Sequence, residues 1–311
     1  MQYRELGRTG LKVSYIGYGG SSLGNAFREI DEAEGIRSVH VALDNGINLI
    51  DTAPYYGALK AETVLGKALK GIARDRYYLA TKVARYGPEP KDFDFSAGRV
   101  TRSVDESLER LGVDYVDFIQ IHDIEFGHLE QIIHETIPAL RKVQAAGKAR
   151  FVGVTGLHVG CLERVVNEVE VDQIQSYCHY NLHDDALAGL LPTLGEKGIG
   201  VFSSAPISMR LLSNGGPPAW HPAGAEIRAK CAEAAALCRS RGVELGKLAL
   251  QFAVANPAIH TNILGTASSA RVVENLRDAE EPMDLELLGE VLGILQPIHN
   301  RSWFSGLAEN N

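Results

Sequence analysis

The sequence predicts a (β/α)8 barrel of the TIM type, with an N-terminal β-hairpin and a C-terminal helical extension. Three observations carry that expectation. Short apolar runs alternate with segments of helical period, eight times over, at a spacing of roughly 30 residues. The connections between them are short, which implies parallel strands with helical crossovers. No linker or low-complexity stretch interrupts the series, so residues 1–311 read as one domain. A doubly wound sheet is the main alternative.

Residues 3–14 form the expected hairpin, with Gly7 to Gly10 as its turn, and 16–19 the first barrel strand. Helical spacing over 31–45 stops at Gly46, and a buried strand follows at 47–51. Helix 61–70 precedes the strand at 77–82. Ser96 is placed to cap helix 97–111, whose register carries Val100, Val104, Leu108 and Leu111. Strand 115–122, helix 129–146 and strand 149–155 come next, then helix 159–168, strand 172–176, helix 184–197 and strand 200–204. After a Gly/Pro-rich loop at 214–222, helices are expected at 225–241 and 244–255, a strand at 261–264, and helices at 270–279 and 284–295.

Composition narrows the function classes. The formal net charge of −8 leaves no basic footprint for nucleic acid or an anionic membrane. The charged start Met1-Gln2-Tyr3-Arg4-Glu5 is not a secretory signal, and no apolar run approaches a membrane span. Cys161, Cys178, Cys231 and Cys238 are scattered and read as buried reduced thiols, which suits a cytoplasmic protein.

The stretch Ile47-Asn-Leu-Ile-Asp51-Thr-Ala-Pro-Tyr-Tyr56-Gly57 gathers the chemistry. In a parallel barrel every strand's C-terminal end opens on one face, where active sites lie. The second strand ends in Asp51, the third in Lys82 and the fourth in His122, with Tyr56 on the loop after the second. Neighbouring strands are about 4.8 Å apart, so these side chains can converge. Each alone has a bland reading: a satisfied salt bridge, or a structural histidine. Four at the same ends of adjacent strands suit proton transfer coupled to carbonyl reduction. A phenol titrates near 10 when free, and a lysine ammonium against it favours the phenolate. Aspartate keeps the lysine charged, and histidine can donate to the substrate oxygen. No side chain donates hydride, so a cofactor is required.

These residues resemble the aldo-keto reductase superfamily: Asp-Thr-Ala-Pro-Tyr-Tyr-Gly, then Ala80-Thr-Lys82 and His122, match its catalytic tetrad. Similarity runs from Leu6-Gly-Arg-Thr-Gly-Leu-Lys-Val-Ser14 to Glu274-Asn275. Phe93-Asp-Phe-Ser96, Asp105-Glu-Ser-Leu-Glu-Arg-Leu111, His122-Asp-Ile-Glu-Phe-Gly127, Thr155-Gly-Leu157 and Ser176-Tyr-Cys-His-Tyr180 resemble its L-galactose dehydrogenase branch. The resemblance implies a nicotinamide cofactor held without a Rossmann motif. Gly19, Gly20, Ser21 and Asp51 would lie near the reacting centre, and Thr155 and Gln175 would hold the carboxamide. Ser204, Ala205, Pro206 and Ile207 would line the nicotinamide and pyrophosphate, with Gly265, Thr266, Arg271, Glu274 and Asn275 at the adenosine end.

Three departures stand out. Thr155-Gly156 replaces the usual Ser-Asn, Ser203-Ser204-Ala205 replaces a stacking aromatic, and Gly265 replaces a lysine that often meets the 2′-phosphate. The last favours NAD, with NADP second because Arg271 survives.

Other candidates are weaker. His179 and His183 are four apart but leave a strand, so sugar contact or surface is expected and no metal. Asp123 is a candidate sugar ligand against a solvated-loop alternative, as is Glu125, and Trp220 and Trp303 either cap the pocket or pack the tail. The leading expectation is an enzyme, an NAD-dependent dehydrogenase oxidising C1 of an aldose of the L-galactose or L-fucose type to the lactone. Tyr56, His122 and Asp123 would contact the substrate, in a monomer or weak homo-oligomer. Alternatives are an NADPH-linked reductase of aldehydes, pyridoxal-type aldehydes included, a nucleotide-sensing subunit, and an aldolase-like barrel with Lys82 as Schiff-base nucleophile.

Overall fold

The computed structural model describes residues 1–25 and 29–311. A hairpin of β1 (Tyr3–Glu5) and β2 (Lys12–Ser14) comes first. Eight parallel strands follow: β3 (Ile16–Gly19), β4 (Leu49–Asp51), β5 (Tyr78–Val83), β6 (Val116–Ile121), β7 (Ala149–Gly156), β8 (Gln173–Tyr177), β9 (Gly200–Ser204) and β10 (Thr261–Gly265). They pair in chain order, and β10 closes on β3 with Gly265 opposite Gly19. The crossovers carry α1 (Glu32–Asp44), α2 (Lys60–Leu69), α3 (Ala97–Leu111), α4 (Leu129–Gln131), α5 (Ile137–Ala145), α6 (Val159–Glu168) and α7 (Leu191–Glu196). α8 (Ala225–Ser240) and α9 (Leu245–Ala255) join β9 to β10, and α10 (Ser269–Glu280) and α11 (Leu285–Leu295) follow. Among the described residues no helix is long and apolar enough to cross a membrane.

Strand parity positions the site. Leu49, Ala80, Phe118, Phe202 and Ile263 form one buried apolar layer inside the barrel, plugged from below by Leu6, Leu11 and Val13 of the hairpin segment. The Phe118 ring lies 5.3 Å from both Phe151 and Phe202. Truncating such a ring costs about 3–5 kcal/mol. Residues two further along each strand point to the same side one layer higher. Those residues are Asp51, Lys82, Gln120, Ser204 and Gly265: a polar layer stands directly on an apolar one. Alternate residues such as Ile50, Leu79 and Ile119 face outward into the main core beneath the helices. A second core of Leu211, Leu212, Leu245, Leu287 and Val291 seats α8, α9 and α11 as the C-terminal extension.

Several elements depart from expectation. The helix expected at 184–197 is a 3-10 turn at Ala186–Gly189 followed by α7, because Pro192 has no N–H to continue the earlier turn and sits in the first turn of a new helix. The helix expected at 129–146 contains a π-turn, Ile132–Thr136, just before Pro138. The wider turn carries the ladder past a residue that cannot donate. Ser96 stands at the N-cap of α3 without a side-chain bond. Glu135 instead accepts from Ala97 N at 2.7 Å, supplying an acceptor from a neighbouring helix. The strand expected at 47–51 is shorter, Leu49–Asp51.

Candidate active site

Asp51, Tyr56, Lys82 and His122 meet at the C-terminal mouth of the barrel. Lys82 Nζ donates to Asp51 Oδ1 and Oδ2 at 2.8 and 2.7 Å, to the Thr52 carbonyl at 2.9 Å, and lies 3.3 Å from the Tyr56 hydroxyl. Burial alone would lower the lysine's pKa, but Asp51 and Tyr56 raise it overall, so Lys82 is an ammonium. That argues against a Schiff-base nucleophile, which must be neutral to attack.

Tyr56 reverses one expectation. Burial raises its phenol to about 12, outweighing the pull of Lys82, and Asp51 and Asp123 add to the rise. The lysine lowers the pKa as expected; desolvation of the phenolate wins in the free enzyme. The ring stands edge-on to His122, centroids 5.6 Å apart at 89°. His122 is pushed well below its ordinary value by burial, then by Lys82 and Arg85, so it is a neutral imidazole. Its Nδ1 is buried without a hydrogen-bond partner among the described residues.

The loop carrying Tyr56 is held by glycine. Gly57 has φ +62°, and a Cβ there would lie 2.0 Å from the Gly24 carbonyl oxygen. Only glycine permits that approach.

Sequence reasoning missed two partners. Gln120 Nε2 donates to Asp51 Oδ1 at 3.0 Å. Its signal was available: a polar residue of the same parity as His122 in a strand of otherwise buried character. Arg85 was less legible. It pairs with the Asp123 carboxylate, and its guanidinium lies 3.7 Å above the Tyr55 ring, with Phe93 and Phe126 on other sides. Asp123 and Glu125 are both buried, which overturns the solvated-loop reading. Burial raises the Asp123 pKa against the opposing effect of Arg85; Asp123 Oδ2 is 3.7 Å from His122 Nε2.

The residues expected around a nicotinamide are near by. Gln175 Nε2 donates to Ser204 Oγ at 2.7 Å and lies 3.4 Å from Asp51 Oδ2, while its Oε1 is buried and unpartnered among the described residues. Thr155 Oγ1 accepts from Asp123 N at 3.0 Å, and its hydroxyl hydrogen-bonds the Asp123 carboxylate. The open Gln175 amide oxygen fits the amino end of a carboxamide. Gly19 and Gly265 approach so closely that a Cβ on Gly19 would lie 3.0 Å from Gly265 N, and a Cβ on Gly20 would lie 3.1 Å from the Asp51 carbonyl oxygen. Ser21 flanks this seam, its Oγ 3.0 Å from a Cβ placed on Gly265.

After β9 the chain turns through Ala205 at φ +57° and then Ser208, Met209 and Arg210, all left-handed. Pro206 is buried and Ile207 packs on the second core. His221 Nε2 donates to the Ser208 carbonyl at 3.0 Å, and His183 Nε2 shares a hydrogen bond with Ser208 Oγ at 3.3 Å. So His179 and His183 are not surface residues: both are buried, with His179 Nδ1 2.9 Å from Asp184 Oδ1. Trp220 is exposed, while Trp303 packs edge-on to His221 at 5.2 Å. Farther along, Thr266 Oγ1 accepts from Ser268 N at 3.2 Å, Arg271 pairs with Glu274 at 3.0 Å, and Asn275 lies one residue on. Among the described residues no three His, Cys, Asp or Glu side chains are arranged to hold a metal.

Comparison with known proteins agrees with this architecture. The family model described as "Aldo/keto reductase family" matches residues 15–294. The L-galactose dehydrogenase of Arabidopsis thaliana is 47% identical, over 100% of this chain and 99% of its own length. The D-threo-aldose 1-dehydrogenase of a Pseudomonas species is 28% identical, covering 86% of this chain and 89% of the relative. Among solved structures, an aldo-keto reductase from Bacillus halodurans in its holo form superposes with a TM-score of 0.78 at 28% identity, covering 98% of each chain. A matching family model over most of the chain, on a barrel with this polar layer at its mouth, makes the protein an NAD(P)-dependent oxidoreductase belonging to the aldo/keto reductase family.

Proposed function

We propose that the protein is an aldose 1-dehydrogenase, oxidising the C1 hydroxyl of a sugar of the L-galactose or L-fucose type to the lactone with NAD. One observation carries the chemistry: an ammonium clamped by Asp51 lies 3.3 Å from the Tyr56 hydroxyl, beside a neutral histidine. When bound, the nicotinamide supplies the acceptor for the hydride leaving C1.

Tyr56, as phenolate, takes the proton from the C1 hydroxyl. Lys82 stabilises the phenolate that must form, and Asp51 and Gln120 keep Lys82 charged and placed. His122 donates to the C1 oxygen and orients it. Asp123, gripped by Arg85, accepts from a sugar hydroxyl at the rim. The reading of substrate class is supported by the likeness to the two sugar dehydrogenases above. Gly19, Gly20, Ser21, Thr155, Gln175 and the 204–207 loop would hold the nicotinamide side. Gly265, Thr266, Arg271, Glu274 and Asn275 would hold the adenosine side, with no cation at Gly265.

A second reading follows from the tyrosine. A phenol at about 12 is protonated at neutral pH, which suits a proton donor in aldehyde reduction. The test is a panel of aldoses with NAD and of aldehydes with NADPH, run on wild type and Tyr56→Phe. General acid–base groups are worth about 10²–10⁴-fold. Oxidation of an aldose by NAD, reduced by about that factor in Tyr56→Phe, is the expected result. Turnover of aldehydes alone would favour the reductase, and near-normal turnover in Tyr56→Phe would end both.

A further inference from the structure

Barrels of this kind hold phosphate with the loops after their last two strands and a helix N-terminus beside them. Here that helix is α10, which follows β10, and its first amide is already taken. Glu34, on α1, accepts from Ser269 N at 2.7 Å and from Ser269 Oγ at 2.8 Å through one carboxylate oxygen. The other oxygen accepts from Arg37 Nη2 at 2.6 Å and Nε at 3.0 Å. The amide of Arg271 is bonded to Ser268 Oγ at 3.4 Å, and the Arg271 guanidinium faces Glu274. Both arginines at this end therefore carry a carboxylate partner, and Gly265 brings no cation. The bonds from Ser269 and Arg37 hold the Glu34 carboxyl down to about 2, so its charge is present at any working pH.

We infer that Glu34 sets cofactor choice: its carboxylate, seated on the N-terminus of α10, excludes a 2′-phosphate from the adenosine end and selects NAD over NADP. A phosphate there would meet a fixed like charge and find the helix donor occupied, whereas a ribose hydroxyl is neutral and has a proton to give. Discrimination by repulsion needs no contact with the favoured ligand. The inference rests on the dehydrogenase reading and on the adenosine end it assigns.

The test uses the full chain and two nucleotides. Affinities for NAD and NADP are measured by calorimetry, and kcat/KM with each, for wild type, Glu34→Gln and Glu34→Gln/Arg37→Ala. Glutamine keeps an oxygen for Ser269, removes the charge, and frees Arg37 to meet a phosphate. The NADP-to-NAD ratio should rise about tenfold in Glu34→Gln, the scale of one charge-assisted contact. The rise should shrink at high salt and be partly lost in the double variant. Wild type preferring NADP, or both nucleotides binding with an unchanged ratio in Glu34→Gln, overturns the inference while the dehydrogenase reading stands. A lowered melting temperature with that unchanged ratio makes Glu34 a helix cap only. Binding of neither nucleotide by wild type sinks the dehydrogenase reading itself.

Discussion

Gln120 Nε2 donates to Asp51 Oδ1 at 3.0 Å, so the carboxylate beneath Lys82 is held from the strand that leads to His122. Replacing it with leucine removes this donor while conserving bulk. Gln120 Oε1 is buried and unpartnered among the described residues, so apolar replacement should cost little stability. We expect Gln120→Leu to lower kcat about tenfold, the worth of a hydrogen bond to a charged group, with a near-native melting temperature. Undiminished turnover would mean Asp51 needs no help from β6.

The pH profile follows from the Tyr56 phenol, lifted by burial to about 12. Oxidation needs the phenolate, whose fraction grows about tenfold per pH unit below the pKa. Where chemistry limits the rate, kcat for aldose oxidation should climb from pH 6 to 10 without a plateau. Lys82→Met removes the cation that lowers this pKa, so the rise should begin at higher pH. A flat profile, or one unmoved in Lys82→Met, would assign the proton to another group.

Gly57→Ala tests the loop. The left-handed φ and the 2.0 Å approach to Gly24 O leave no room for a methyl group, so the Tyr56 segment must shift. Misplacement by about 1 Å can cost about 10²-fold in rate. The prediction is a fall of that order in kcat, larger than any loss in nucleotide affinity by titration. Equal loss of both would mean the whole mouth collapses.

Glu125 couples stability to pH. It accepts from Leu157 N, Tyr177 OH and Ser305 Oγ at 3.2, 3.2 and 3.3 Å, and burial, then Asp123, lifts its carboxyl to about 8. The folded pKa lies above the ordinary 4.5, so the folded state holds a proton that the unfolded chain has lost. The stabilisation is full below about 4.5 and is lost as pH rises to about 8. Melting temperature should therefore fall across that window, and Glu125→Gln should flatten this part of the profile. An unchanged slope in the variant would place the titration elsewhere.

The barrel, its hairpin and the four meeting side chains were legible because each rests on local pattern: apolar runs of strand length, and a chemical residue at the end of each. The partners that tune the site were not. Arg85 finds Asp123 and Tyr55 only once three loops converge, and Glu34 finds Ser269 across α1 and α10. His179 and His183 are buried, with His183 bonded to Ser208 and to Asn300 N of the tail, contacts that period alone does not reveal. Pro192, read as a helix start, gives the α7 boundary from sequence alone. The raised Tyr56 pKa needed the degree of enclosure, a property of the whole mouth.

The closing seam also sets the order in which a new chain can gain its fold. Asn262 Nδ2 and the Tyr15 carbonyl that it bonds are 247 positions apart, and Arg4 binds the carbonyl of Asn256 from the hairpin. During synthesis, β3 must wait with an unpaired edge until β10 leaves the ribosome, because nothing earlier in the chain completes the ring. Contacts of such separation slow folding, and open edges invite pairing with other chains. The Gly19–Gly265 pair lies on this last seam, so the proposed cofactor cleft comes into being at the final step of closure, and a bound dinucleotide would hold shut the joint that forms last.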